Sequence, residues 1–114
     1  MTQSNQCINW QVIDSLAEDD ETRQMILTTF VESFQSDLNK LNEIRSENNL
    51  EQLIFIAHTI KGASSNFCHE STLNELKDIE SQIKSKAHED HSMLIQRLEK
   101  VTTLIIDELR SALK

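Results

Sequence analysis

A histidine, a lysine and the only glycine of the chain lie close together in the segment AHTIKGASSNF, at positions 58, 61 and 62. A neutral imidazole such as that of His58 is a nucleophile toward an activated phosphoryl group, and its pKa near neutrality keeps much of it unprotonated. The ammonium group of Lys61 favours the neutral imidazole and can pair with phosphoryl oxygens. Glycine inside a helix costs about 0.5–1 kcal/mol relative to alanine. We therefore expect Gly62 to have a functional role and not a folding role, because the missing side chain leaves room for a phosphoryl group and a partner's active site.

Helical geometry places these residues on one outer face. At about 100° per residue, His58, Lys61, Gly62 and Ser65 fall within a sector of roughly 100°. The apolar stripe of the same segment is centred more than about 120° away from this sector. It consists of Leu53, Ala57, Ile60 and Ser64. The imidazole is therefore predicted to face solvent. Ser65 beside it either hydrogen-bonds near a bound phosphate or is a solvated surface serine.

Glu51, Ile54 and Phe55 map to the same outer sector as the histidine. Two large apolar side chains beside an exposed imidazole are unusual on a face that only meets water, although scattered surface apolar residues are common. These three residues are the candidate docking surface for a partner protein.

The elements that carry this face are predicted to be helices. The 114 residues include no proline, no tyrosine and one glycine, which is hard to reconcile with a sheet that needs several tight turns. Apolar residues recur instead at spacings of three and four. The predicted fold is all-α, an antiparallel up-down-up-down four-helix bundle with a short extra N-terminal helix, in a single domain over residues 1–114.

The predicted helix boundaries follow from polar residues that can cap helix ends. The expected segments are a short helix from Asn9, a long one from Asp19 or Asp20 to about Glu47, one from about Leu50 to Phe67, one capped by Ser71, and one capped by Asp90 or Ser92. In the fourth helix, Ile79 or Glu80 completes the inward stripe of Leu73, Leu76 and Ile83. Ser64 is expected to support helix packing.

Charge and composition exclude several classes of function. The formal net charge of −8 repels nucleic acid and anionic lipid, so neither is expected as a partner. No apolar run approaches the ~20 residues of a membrane span, and the first ten residues lack the pattern of a signal peptide. Two cysteines give no disulfide framework, which favours a cytoplasmic location. The single glycine rules out the phosphate-binding loops GxxxxGK[ST] and GxGxxG.

The segment from His58 to Ser64 resembles the His-x-x-Lys-Gly-small-small motif of histidine-containing phosphotransfer (Hpt) domains. The resemblance extends over the whole chain, since members of this size are four-helix bundles with the phosphorylated histidine exposed midway along one helix. It implies that His58 is phosphorylated on Nε2, that Lys61 steadies the phosphate and that Gly62 gives clearance. One departure is Cys68, which follows Phe67 and precedes His69 and stands where many relatives have glycine, so the turn after this helix is expected to differ.

The resemblance also implies the role of the chain and its partners. Such a protein carries a phosphoryl group reversibly between aspartates of receiver domains, those of a hybrid histidine kinase and of a response regulator. The catalytic aspartate and its Mg²⁺ belong to the receiver, so the chain is a phosphocarrier, with no cofactor or metal of its own, and is expected to be a monomer.

Two other functions remain open from the residues alone. The first is a helical adaptor that binds a partner without phosphate chemistry, with His58 as an incidental surface residue. The second is a small metal carrier that uses His69, His88 and His91. His88 and His91 are three residues apart rather than the four of the His-Glu-x-x-His zinc helix, which disfavours metal binding.

Overall fold

The computed structural model describes residues 6–47, 49–85 and 90–114. Within these ranges the chain forms five α-helices, α1 (Trp10–Leu16), α2 (Asp20–Glu47), α3 (Leu50–Ser64), α4 (Glu70–Ser85) and α5 (Ser92–Ser111). The described residues contain no strand beyond an isolated antiparallel bridge between Ile8 and Cys68. The all-helical prediction is confirmed. None of the described helices has a stretch apolar and long enough to cross a bilayer.

Two helices, α1 and α2, begin at polar residues that were predicted as caps, and α3 begins at a polar cap that was not predicted. The side chain of Asn9 accepts a hydrogen bond from the backbone N–H of Gln11 at the start of α1. Asp19 accepts from the N–H of Thr22 at 2.8 Å before α2, and Asn49 accepts from an N–H in the first turn of α3. These bonds satisfy N–H groups that have no partner inside the helix, so the caps set where each helix starts.

The starts of α4 and α5 differ from the prediction. Ser71 is not a cap, because α4 begins at Glu70 and the backbone carbonyl of His69 already accepts the first helical bond, from Leu73. The residue that caps α5 is His91, which makes no side-chain capping bond. Asp90, the residue before the cap, still accepts a hydrogen bond from the N–H of Ser92 at 3.0 Å. Its carboxylate therefore lies at the start of α5.

The helix α3 ends earlier than its apolar pattern suggests. It stops at Ser64, and short i to i+3 backbone bonds reach Asn66 and Phe67. These tight turns swing Phe67 inward, where it packs against Phe30 and Phe34 with ring centroids 4.5 and 6.0 Å away. Phe67 is therefore a core residue, as expected, but it reaches the core from a turn.

The core runs along the bundle between α2, α3, α4 and α5. Each of these four helices packs against two others: α2 and α4 each contact both α3 and α5, while α1 lies on α2. Ser64 is fully buried in this core, as predicted for a small packing position. Apolar residues from all four helices are fully or almost fully buried, among them Leu27, Phe34, Leu41, Leu53, Ile60, Leu76, Ile83, Leu98 and Ile105.

The turn between α3 and α4 is held by the segment before α1. Asn9 donates its N–H to the carbonyl of Phe67 and His69 donates to that of Cys7, both at 2.8 Å. Glu108 on α5 accepts from the backbone N–H of Cys7 and from the indole Nε1 of Trp10. Burial raises the pKa of the Cys68 thiol to about 12, and neither cysteine forms a disulfide. The departure at positions 68 and 69 thus coincides with a contact to the N-terminal segment.

Candidate phosphoryl-accepting site

His58 lies near the middle of α3 on its outer face. Its side chain is 66% exposed, as the helical angle predicts, whereas Ala57 and Ile60 on either side of it are buried. The buried neighbours fix the rotation of the helix about its axis, because exposing them would remove apolar area from the core. The imidazole is therefore held at the surface by the packing of the opposite face.

The orientation of the imidazole is set by Glu80 on α4. The Nδ1 atom of His58 lies 3.0 Å from Oε2 of Glu80. An ionised carboxylate can only accept a hydrogen bond, so the neutral imidazole must donate through Nδ1–H. The ring is then in the tautomer whose Nε2 carries a lone pair. The arrangement leaves Nε2, the outer nitrogen, as the nucleophilic atom.

Two lysines also bond to Glu80. Nζ of Lys61 lies 2.8 Å from Oε1, and Nζ of Lys84 lies 3.3 Å from Oε2. The carboxylate itself is almost fully buried, with 5% of the Glu80 side chain exposed. A buried carboxylate requires partners of this kind, because removing an unpaired charge from water is very unfavourable. Lys61 therefore reaches toward α4, as well as lying near the histidine.

The environment keeps Glu80 ionised. Burial by itself would raise the pKa of this carboxyl group, but hydrogen bonds from Lys61, His58 and Lys84 outweigh it and the pKa is lowered. The carboxylate is thus available as an acceptor for Nδ1–H at neutral pH.

Gly62 and Ser65, the two small residues on the same face as His58, have different surroundings. A Cβ atom built on Gly62 would meet nothing within 4 Å, so the fold does not need a glycine there. Ser65 caps the end of α3, and its hydroxyl donates to the carbonyl of Gly62 at 2.6 Å. The single hydroxyl proton of Ser65 is used within the helix end, whereas Gly62 leaves open surface beside His58.

The predicted docking residues are not equivalent. Phe55 is 66% exposed and Glu51 is also exposed, but Ile54 is half-buried and packs against the core. Ile54 is therefore less available for a partner than its helical angle suggests, because the neighbouring helices cover part of it. Phe55 borders a groove of about 410 Å³ between α2 and α3, lined also by Lys40, Glu43, Ile44, Gln52 and Ile56.

Sequence reasoning did not identify Glu80 as a site residue. The apolar spacing of the fourth helix allows either Ile79 or Glu80 to face inward, and the structure buries both. The available signal was a glutamate in an apolar stripe with Lys84 four residues later, since a buried carboxylate needs a positive partner. Which residues of another helix meet it depends on the packing of α3 on α4.

The other histidines do not assemble a metal site with described residues. His91 is buried at the start of α5 and His69 is half-buried at the start of α4. Nowhere in residues 6–47, 49–85 and 90–114 do three His, Cys, Asp or Glu side chains converge as metal ligands would. His88, the third member of the set considered from the sequence, lies outside the described residues.

The fold and site together define a helical protein that presents a surface histidine, with its inner nitrogen bonded to a carboxylate and two lysines bonded to the same carboxylate. The family model of the Hpt domain matches residues 25–112, the bulk of the chain, so the chain belongs to the Hpt domain family. Hpt domains are phosphocarriers in the histidine phosphotransfer of phosphorelays and interact with receiver domains. Searches of curated proteins and of solved structures found no match.

Proposed function

We propose that this protein is the histidine phosphotransfer intermediate of a multistep phosphorelay in the cytoplasm. It carries a phosphoryl group on Nε2 of His58 between the receiver aspartate of a hybrid sensor kinase and that of a response regulator. The proposal includes a monomeric single domain whose four long helices form an antiparallel up-down-up-down bundle. The observation that carries it is an exposed imidazole with Nδ1 3.0 Å from a buried carboxylate, within an Hpt domain.

The reaction uses the two nitrogens of the imidazole for different purposes. The lone pair of Nε2 attacks phosphorus in line, and the bond from phosphorus to the aspartyl oxygen breaks, which returns the receiver carboxylate. The ring gains positive charge as the new bond forms, while Nδ1 keeps its proton. Glu80 lies at hydrogen-bond distance from that proton, so its negative charge stabilises the charged ring.

The remaining site residues act on the phosphoryl group or on the partner. Lys61 exchanges Glu80 for a phosphoryl oxygen, since its Nζ lies 2.8 Å from the carboxylate that also holds the imidazole. Gly62 gives clearance to the incoming receiver, whose own aspartate and Mg²⁺ activate the phosphoryl group. We assign Ser65 a supporting role, in which its hydroxyl, now donating to the carbonyl of Gly62, rotates to donate to a phosphoryl oxygen.

Docking of the receiver is assigned to the surface next to His58 on the α2 side. Phe55 is the central apolar contact, since most of its ring is in water and it borders the groove between α2 and α3. Glu51 lies one turn before Phe55 and contributes at the edge, and the half-buried Ile54 supports this surface from beneath. Burial of an exposed aromatic ring is a common source of binding energy at interfaces.

The test is phosphoryl transfer from a phosphorylated receiver. Incubation of the protein with phosphorylated receiver domains should give a label that is acid-labile and base-stable, as expected for phosphohistidine. The label should be absent from His58→Gln and present in His69→Gln, a matched control that also removes one imidazole. A label that persists in His58→Gln would refute the assignment. Binding of receivers without any label in the wild-type protein would favour the adaptor function instead.

A further inference from the structure

Lys84 lies in the last turn of α4, one helical turn after Glu80. Its Nζ is 3.3 Å from Oε2 of Glu80, and the same oxygen lies 3.0 Å from Nδ1 of His58. The ammonium group is therefore within two hydrogen-bond lengths of the imidazole that accepts the phosphoryl group.

The charges at the site are not balanced once the phosphoryl group arrives. Before phosphorylation, one carboxylate faces two ammonium groups, those of Lys61 and Lys84. A phosphoryl group adds about −1.5 to −2 charges at neutral pH, which one lysine cannot neutralise alone. The Lys84 side chain is 55% exposed, against 26% for Lys61, so its ammonium group has the greater freedom to turn from Glu80 toward solvent.

We infer that Lys84 is a second cation for the phosphoryl group on His58, moving from Glu80 to a phosphoryl oxygen when the histidine is phosphorylated. The inference rests on the proposed function and adds a residue to it from outside the His58–Ser64 motif. Glu80 retains Nδ1–H of the imidazole throughout, so the ring keeps its orientation while the lysine changes partner.

A simpler role for Lys84 would be structural. A glutamate and a lysine four residues apart stabilise a helix, and a cation near a helix C-terminus interacts favourably with the helix dipole. Both effects act on the folded state whether or not His58 is phosphorylated. A property of the phosphoryl group itself therefore separates the two roles.

The experiment is a ³¹P NMR titration of protein phosphorylated on His58 by phosphoramidate, a small-molecule phosphoryl donor. A nearby ammonium favours the dianionic phosphoryl group and so weakens its proton binding. In Lys84→Gln we expect the phosphoryl group to bind its proton roughly twofold to fivefold more tightly, the range of an exposed ion pair. Lys84→Arg should restore the wild-type titration. Lys100→Gln, an exposed lysine on α5 that undergoes the same charge change, should leave it unaltered.

The outcomes separate this inference from the proposed function. If the phosphoryl group of Lys84→Gln titrates at the same pH as that of the wild type and of Lys100→Gln, Lys84 has only a structural role. The inference is then wrong, while the proposed function stands. If receivers give no label on wild-type His58, the proposed function fails and this inference fails with it. Circular dichroism of each variant confirms that the compared proteins are equally folded.

Discussion

Replacement of Gly62 by alanine separates the needs of the fold from those of the reaction. The added methyl group meets no atom within 4 Å, so it introduces no clash. Alanine also restricts the unfolded chain and favours the helix. We expect Gly62→Ala to raise the free energy of unfolding by about 0.5 kcal/mol, the lower end of the usual range, because the position lies in the last turn of α3.

This gain translates into a small but measurable thermal shift. An unfolding entropy of about 2.1 cal/mol/K per residue over 114 residues predicts an increase in Tm of roughly 2 °C. Thermal and urea unfolding followed by circular dichroism would measure it. Thr103→Ala is the matched control, since it also increases helix propensity at an exposed position, but on α5.

The same substitution should slow phosphoryl transfer. The methyl group projects from the face that carries His58, so a receiver approaching for in-line transfer would be displaced by a fraction of an ångström. Misplacement of this kind reduces rates steeply, and we expect a loss of about tenfold or more in the rate of transfer from a phosphorylated receiver, with none in Thr103→Ala. A variant that is more stable and transfers phosphate at the wild-type rate would refute the clearance role of Gly62. A destabilised variant would show that the fold needs the glycine after all.

Two further substitutions test the carboxylate and the docking surface. Because the pKa of Glu80 is lowered in the folded protein, its ionised form stabilises the fold above its unfolded pKa, and this contribution is lost as the pH falls through the lower, folded value. Glu80→Gln should therefore be less stable than the wild type at pH 7, by about 1–2 kcal/mol, and the difference should shrink in acid unfolding experiments as the pH falls through the folded pKa of Glu80. A difference that stays constant as the pH is lowered would contradict the ionic explanation. Phe55→Ser should weaken receiver binding and slow transfer with little change in stability, because the ring is 66% exposed, whereas Met93→Ser, at a 75% exposed residue on α5, should affect neither. Equal transfer rates in both variants would remove Phe55 from the docking surface.

Much of the fold follows from local features of the sequence. The absence of proline, the three-and-four spacing of apolar residues and the capping side chains of Asn9 and Asp19 were enough to predict the helices and several of their starts. The start of α4 could not be predicted as well. Its position depends on two backbone hydrogen bonds of His69, one donated to the carbonyl of Cys7 and one accepted from the N–H of Leu73. Every residue type except proline carries both backbone groups, so the sequence contains no signal for these bonds.

For the site, the sequence determined which residues share the outer face of α3. A helix has a fixed angle per residue, so the exposure of His58 and the position of Gly62 beside it follow from spacing alone. Only the tertiary structure decided which group holds Nδ1 of the imidazole and how far Ile54 is covered. Both depend on the packing of α3 against its neighbours, which brings Glu80 from another helix to within 3.0 Å of His58. Such contacts between distant segments are set by how side chains fill the shared core, which no local spacing specifies.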